Sequence, residues 1–232
     1  VSKLDFSTVL AISIHDMKNS LNRVLTAFDD IMDSETGECR CDSNVMAHLQ
    51  YEARRINDNL IQLLMFYRND HGLYHAQFAP VTVYELLEDC WLSNKPMMDH
   101  SGLQCTIQCD EELIWILDST LIEAVIENVI NNTVRYTREN ILLSAELNNG
   151  WLEIRIEDDG PGYPTEMLGR RQLDDGSTVN RKDGRTGLGL YFCALVASSH
   201  SNDECTGWIE LMNDSRLGGG CFLLRLPQLL NY

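Results

Sequence analysis

The stretch L-A-I-S-I-H-D-M-K-N-S-L-N-R-V-L-T-A-F-D-D-I (Leu10–Ile31) carries apolar side chains at Leu10, Ile14, Met17, Leu21, Val24, Phe28 and Ile31. The gaps between them alternate four and three, the spacing of a heptad seam, and predict a long amphipathic helix. A second stretch repeats the pattern at Met46, Leu49, Ala53, Ile56, Leu60, Leu63 and Tyr67. Between them Asp33 to Asn44 is polar and contains Gly37, so the helices are expected to fold back as an all-α helical hairpin. One hairpin has too little core to stand alone, whereas two of them complete a four-helix bundle, and a homodimer is the expectation.

The heptads end near Asn69, and His71-Gly72 and Pro80 act as breakers. Residues 71–80 therefore read as a linker between a helical domain at 1–70 and a second domain at 81–232. In the second domain, helices are expected at Val83–Met97, Thr120–Tyr136 and Leu188–Ser199. Strands are expected at Leu103–Cys109, Leu113–Leu117, Ile141–Leu147, Trp151–Ile156, Gly207–Met212 and Cys221–Leu226. In Trp151–Ile156 the residues Leu152, Ile154 and Ile156 share one face and Glu153 and Arg155 the other, so one face is buried and the other wetter. The order predicts an α/β sandwich with helices on one side of a mixed sheet.

Composition narrows the function. A formal net charge of −17 over 232 residues argues against nucleic acid as a partner, because phosphates would be repelled. No apolar run approaches the roughly 18–20 residues that span a bilayer, so no direct membrane contact is expected of this segment. The eight cysteines are scattered, and the close pair Cys39 and Cys41 has no matching pair elsewhere, so incidental thiols in a reducing cytoplasm are expected. The first residue is Val1 and no signal-like segment follows, so the chain reads as a cytoplasmic portion of a longer protein. A preceding sensor region could tether that protein to a membrane.

Four short motifs carry chemistry. In I-H-D-M-K-N-S-L (Ile14–Leu21), a seam position at Ile14 puts His15, Asp16 and Asn19 on the outer face. Asn19 lies four residues beyond His15, on the same strip. Asp16 can hydrogen-bond one ring nitrogen and leave the other as a nucleophile, or accept the ring proton. An exposed polar helix face that happens to contain a histidine fits the same segment. In N-V-I-N-N (Asn128–Asn132) two asparagines stand one helical turn apart on a face shared with Arg135, and amide oxygens there can help hold Mg2+.

In D-D-G-P-G (Asp158–Gly162), Asp158 ends a strand and Gly160 and Gly162 permit a tight turn. A carboxylate so placed can accept from an amino group such as that of adenine, although a plain surface turn has the same pattern. In R-T-G-L-G-L (Arg185–Leu190), Gly187 and Gly189 stand where a loop enters a helix, whose free N–H groups suit phosphate. The loop between Tyr163 and Thr186 holds Arg170, Arg171, Arg181, Lys182 and Arg185, a basic cluster in an acidic chain, and its length suits a lid over phosphates.

The ordered set resembles the H, N, G1 and G2 boxes of the sensor histidine kinases of two-component systems, with Gly218–Pro227 as a G3-like element. The resemblance covers nearly the whole chain. It implies a dimerisation and histidine-phosphotransfer hairpin followed by a gyrase-type ATP-binding domain, with ATP as substrate and Mg2+ as cofactor. It also implies autophosphorylation of His15, with Asp16 as general base, and transfer to an aspartate on the receiver domain of a response regulator. Asn132 carries over as a magnesium ligand, Asn128 as a neighbour of the phosphates and Arg135 as the replacement of a lysine. Tyr136 carries over as a nucleotide-contacting aromatic and Asp158 as the adenine-reading carboxylate. Gly160, Gly162, Thr186, Gly187, Leu188 and Gly189 line the nucleotide by the same comparison. Asn19 matches a position that orients water for dephosphorylating the regulator.

The chain departs from the family at several places. Ser20 stands where proline is usual, Thr133 where alanine is usual and Arg185 where glycine is usual, and no phenylalanine lies between Gly162 and Gly187. Two other readings remain open at this point: an ATPase of the same superfamily without a phosphohistidine, and a non-catalytic phosphotransfer or scaffold protein with a degenerate nucleotide domain.

Overall fold

The computed structural model describes residues 6–32, 43–71, 76–169 and 188–229. The chain divides into two units, with the boundary between Tyr74 and His75. The first unit holds α1 (Phe6–Met32) and α2 (Ser43–Asp70), which pack against each other. Residues 33–42, the expected connection, lie outside the described residues. Val9, Ser13 and Ser20 of α1 and Leu49, Glu52, Met65 and Phe66 of α2 are buried. Small serines at a heptad interval let two backbones approach closely. Arg23 bridges the pair, its Nη1 2.9 Å from Oε1 of the buried Glu52. Ile14 and Leu21, seam residues by the heptad count, remain 52% and 49% exposed, as do Leu25, Leu60, Leu64 and Tyr67 to a similar degree.

The second unit begins with β1 (Ala79–Thr82), α3 (Val83–His100), β2 (Gln104–Gln108), β3 (Ile114–Leu117) and α4 (Ser119–Thr133). It continues with β4 (Asn140–Asn148), β5 (Trp151–Asp158), α5 (Leu188–Ser199), β6 (Trp208–Met212) and β7 (Cys221–Pro227). Five strands form one sheet in the order β2-β4-β5-β7-β6, with β2 and β4 parallel and the other pairs antiparallel. The mixed sheet read from the sequence is therefore present. β1 and β3 make a separate antiparallel pair. β1 starts at Ala79, within the stretch that composition marks as a linker. Pro80 lacks an N–H but sits at the margin of a two-stranded sheet, where a missing donor is tolerated.

The alternation in β5 sets the layers. Leu152, Ile154 and Ile156 are buried, and the register puts Phe222, Leu224 and Leu226 of β7 and Ile141, Leu143 and Ala145 of β4 on the same face. α3, α4 and α5 pack against the sheet, bringing Ile122, Ile126, Ile130 and Phe192 into the core. The opposite face holds ion pairs rather than a solvated fringe. Glu153, only 3% exposed, lies 2.8 Å from Arg155 and 2.9 Å from Arg225. The Arg225 guanidinium sits 5.3 Å from the Trp151 ring and 5.4 Å from the Trp208 ring. Long arginine stems and two indoles thus cover carboxylates that alternation alone would leave in water.

A buried histidine joins the helical layer to the start of the unit. His200 Nδ1 lies 2.9 Å from the Val196 carbonyl, and its Nε2 accepts from Asp118 N–H at 3.1 Å. A carbonyl can only accept and an amide N–H only donate, so the ring is neutral with its proton on Nδ1. Asp118 caps α4, accepting from Leu121 N–H, and its other oxygen accepts from Gln77 N–H at 2.8 Å. Phe78 meets the His200 ring edge-on. Burial holds the His200 pKa below its ordinary value, against the pull of the Val196 carbonyl and Asp118. A depressed folded pKa makes this stability present above the unfolded value of about 6.5 and lost as pH falls from there through the lower folded value. Denaturant titrations from pH 7 to pH 5.5 are expected to show falling stability in the wild type and a flatter profile in His200→Gln; equal slopes would contradict the neutral-ring assignment.

Candidate functional site

β5 delivers Asp158 to the end of the sheet, where its carboxylate is largely buried. Its Oδ1 accepts from Gly160 N–H at 2.7 Å and from Gly220 N–H at 3.2 Å. Its backbone carbonyl accepts from Gly219 N–H at 3.0 Å and from Ser215 Oγ at 2.9 Å. Side chains are excluded on both flanks. A Cβ on Gly219 would stand 2.6 Å from Asp158 Oδ1 and from Gly160 N, and one on Gly160 would strike the Tyr136 carbonyl. The D-D-G-P-G and G-G-G segments are therefore one construction around one carboxylate. Oδ2 makes no hydrogen bond among the described residues, so it remains an acceptor for an outside donor.

Burial raises the Asp158 pKa, and the Gly160 and Gly220 amides oppose that rise. Asp159, beside it, has a different task. Its oxygens accept from Arg138 N–H at 2.8 Å, Glu139 N–H at 3.1 Å, Asn140 N–H at 2.9 Å and the Asn140 amide at 3.1 Å. Burial acts to raise its pKa, but these donors prevail and the value is lowered. Asp159 thereby fastens the segment after α4 to the end of β5.

α4 supplies the second wall. Asn132 Nδ2 donates to the Asn128 carbonyl at 2.8 Å, which orients the amide and leaves Oδ1 as an exposed acceptor. Asn128 Nδ2 lies 3.4 Å from Sγ of the buried Cys193 in α5. A Cβ on Gly189 would come within 2.6 Å of Asn128 Oδ1, so the first turn of α5 rests directly on this asparagine. Arg135 and Tyr136 are exposed just past the end of α4, and the Tyr136 carbonyl abuts Gly160. Leu188 is buried. Thr186, Gly187 and the basic residues from Arg170 to Arg185 lie outside the described residues.

In the helical unit His15 is exposed, and the Asn19 amide nitrogen lies 3.3 Å from its Nδ1. Asp16 belongs to α1, but its side chain lies outside the described residues. α1 continues as one helix through Ser20, which is buried.

Asp158, Gly160, Asn128, Asn132, Tyr136 and Gly189 thus meet in one region of the second unit. Three contributors escaped the sequence reading. Ser215 and Asn213 belong to no motif, and Asn213 contacts the backbone of Tyr163 through both amide atoms. Asp159 had a signal, the doubled aspartate, because two adjacent carboxylates at a strand end cannot share one set of donors.

Residues 117–230 match the family described as histidine kinase-, DNA gyrase B-, and HSP90-like ATPase. The chain is 26% identical over 223 residues to the sensor protein SrrB of Staphylococcus aureus, covering 92% of this chain and 36% of that protein. It therefore spans about a third of the length of that curated relative. Among solved structures it resembles the Acinetobacter baumannii histidine kinase AdeS, with a TM-score of 0.62 at 15% identity over 93% of this chain and 98% of the other. It also resembles full-length ShkA in complex with AMPPNP, with a TM-score of 0.61 at 19% identity over 98% of this chain and 47% of the other.

The raised Asp158 pKa means that its folded state favours the protonated carboxyl. The associated stability is full below the unfolded value of about 3.9 and is lost as pH rises through the folded value, so at pH 7 the ionised group is a cost. Asp158→Asn is expected to raise the thermal midpoint of the chain alone at pH 7. A lowered midpoint in a melting experiment would contradict this account of the buried charge.

Proposed function

We propose that this chain is the catalytic core of a sensor histidine kinase, a reading supported by the match of residues 117–230 to the histidine kinase-, DNA gyrase B-, and HSP90-like ATPase family and by the likeness to the sensor protein SrrB. It binds ATP, phosphorylates His15 and passes the phosphoryl group to an aspartate of a response-regulator receiver domain. The observation that carries the reading is the Asp158 carboxylate. One oxygen is engaged by two glycine amides, and the other is open to an amino group such as that of adenine. The glycines, whose Cβ positions are filled by protein atoms, let the backbone amides close on one oxygen and fix the direction in which the other points. ShkA, a structural neighbour, is described in complex with AMPPNP, an observation about that protein that agrees with the reading.

Asn132 Oδ1, oriented through its own amide nitrogen, suits an oxygen-seeking Mg2+, whose role when bound is to neutralise charge on the phosphates. Asn128, Arg135 and Tyr136 line the same wall, and Thr186, Gly187, Leu188 and Gly189 complete the nucleotide contacts. At His15, Asn19 attends Nδ1, so the attacking atom is Nε2. Attack from Nε2 requires the ring proton on Nδ1, so in the reacting tautomer the Asn19 amide nitrogen gives up Nδ1 and Asp16 is the acceptor of that proton. The Nε2 lone pair forms a bond to the γ-phosphorus as the bond to the β,γ-bridging oxygen breaks. ADP departs with the electron pair, and Asp16 takes the Nδ1 proton. Positioning and charge neutralisation supply most of the acceleration.

Residues 1–70 serve as the dimerisation and phosphotransfer unit, 71–80 as the linker and 81–232 as the nucleotide unit. The exposed strip of Ile14, Leu21, Leu25, Leu60, Leu64 and Tyr67 favours a homodimer in which a second copy covers it as a four-helix bundle. The Asn19 amide beside His15 favours a second activity at that histidine, dephosphorylation of the regulator.

His15→Gln is expected to abolish labelling by γ-labelled ATP while changing nucleotide affinity less than about twofold. The wild-type label should be acid-labile and base-stable. Equal labelling of the variant would sink the assignment of His15.

A further inference from the structure

Asn213 follows the last residue of β6 and belongs to none of the sequence motifs. Its amide meets the Tyr163 backbone twice. Oδ1 accepts from Tyr163 N–H at 2.7 Å, and Nδ2 donates to the Tyr163 carbonyl at 2.9 Å. One side chain thus reproduces the paired bonds by which a strand residue holds its neighbour. The same amide presses on the preceding residue. Gly162 has φ +77°, and a Cβ there would lie 2.6 Å from Asn213 Oδ1. An asparagine held by two bonds cannot swing aside without losing both.

The turn is tied to β6 at its far end as well, where Gly169 N–H reaches the Leu211 carbonyl at 3.3 Å. The turn bears directly on the open oxygen of the site. A Cβ on Gly220 would stand 2.9 Å from Asp158 Oδ2 and 3.0 Å from Tyr163 Cε2, so the tyrosine ring and that oxygen flank the same backbone atom. Moving Tyr163 changes the wall beside Oδ2.

We propose that Asn213 is a positioning residue for the nucleotide site: it clamps the Gly162–Tyr163 turn so that the Tyr163 ring stands beside Asp158 Oδ2. The proposal rests on the nucleotide reading of the pocket and adds to it a residue outside every motif. Asn213 is exposed and acts through Tyr163, so its loss changes affinity more than turnover or folding.

The test measures MgADP binding by calorimetry on the whole 232-residue chain, together with thermal melting without nucleotide. Asn213→Ala is expected to raise the dissociation constant about tenfold, the cost of ordering the released turn at each binding event. The melting midpoint should stay near that of the wild type, and in labelling assays KM for ATP should rise more than kcat falls. Asn213→Asp is nearly isosteric, keeps the bond from Tyr163 N–H and turns an oxygen toward the Tyr163 carbonyl. It should weaken binding by about threefold or more, which keeps the test alive if the alanine variant folds poorly. Gly162→Ala should weaken binding less in the Asn213→Ala background than in the wild type, because the amide it strikes is gone. Wild-type affinity in both Asn213 variants overturns the positioning role alone. A wild-type chain that does not bind MgADP overturns the nucleotide reading and this proposal with it.

Discussion

A carboxylate drawn out of water at the end of a central strand has to be solvated by the protein itself. That requirement at Asp158 organises the second unit. The amides that solvate Oδ1 come from Gly160, two residues on, and from Gly220, which β7 brings back beside β5. They approach only because Gly160, Gly219 and Gly220 have no side chains, so the glycines are consequences of the carboxylate as much as features of a motif. The arrangement remains incomplete by one acceptor oxygen. An enclosed acid with one oxygen lacking a donor among the described residues is poorly suited to stability and well suited to a ligand.

Much of this was legible in the chain. The period-two alternation of Trp151–Ile156 fixed which face of β5 enters the core, and the helical periods located α3, α4 and α5 to within a few residues. Asp158, Asn128 and Asn132 stood out through the ordered motifs and the family resemblance they carry, and the structure sets them on β5 and α4 of the same unit. Illegible were the residues whose role is to hold others. Asn213 lies fifty residues from Tyr163 and has no companion in sequence, so only strand pairing brings them together. Ser215 is hidden for the same reason. His200 carries no signal in the sequence, because nothing in its neighbourhood along the chain hints at Asp118, which lies 82 residues away.

Alternation also misjudged the far face of the sheet. Glu153 and Glu157 are nearly as buried as the leucines behind them, because Arg225 and Arg216 lie across them. Arg216 donates to Glu157 from its backbone and its guanidinium, and reaches Ser144 and Gln108 on two further strands. Arg216 also sits between Ser215 and the triple glycine, so the charge lattice of one face and the carboxylate of the site share one short connection. Removing one partner of such a buried pair costs more than the pair contributes, which binds this segment to the sheet on both sides.

The segments that make the pocket start at Asn128, Asp158, Gly189 and Asn213, and none of them is complete without another. No local stretch completes the constellation, because its contacts are closed by the return of β7 to β5. Closure of the site therefore depends on long-range strand pairing and not on helix formation alone. A ligand that recognises it selects fully folded molecules, and its binding energy is felt by the whole second unit rather than by one loop.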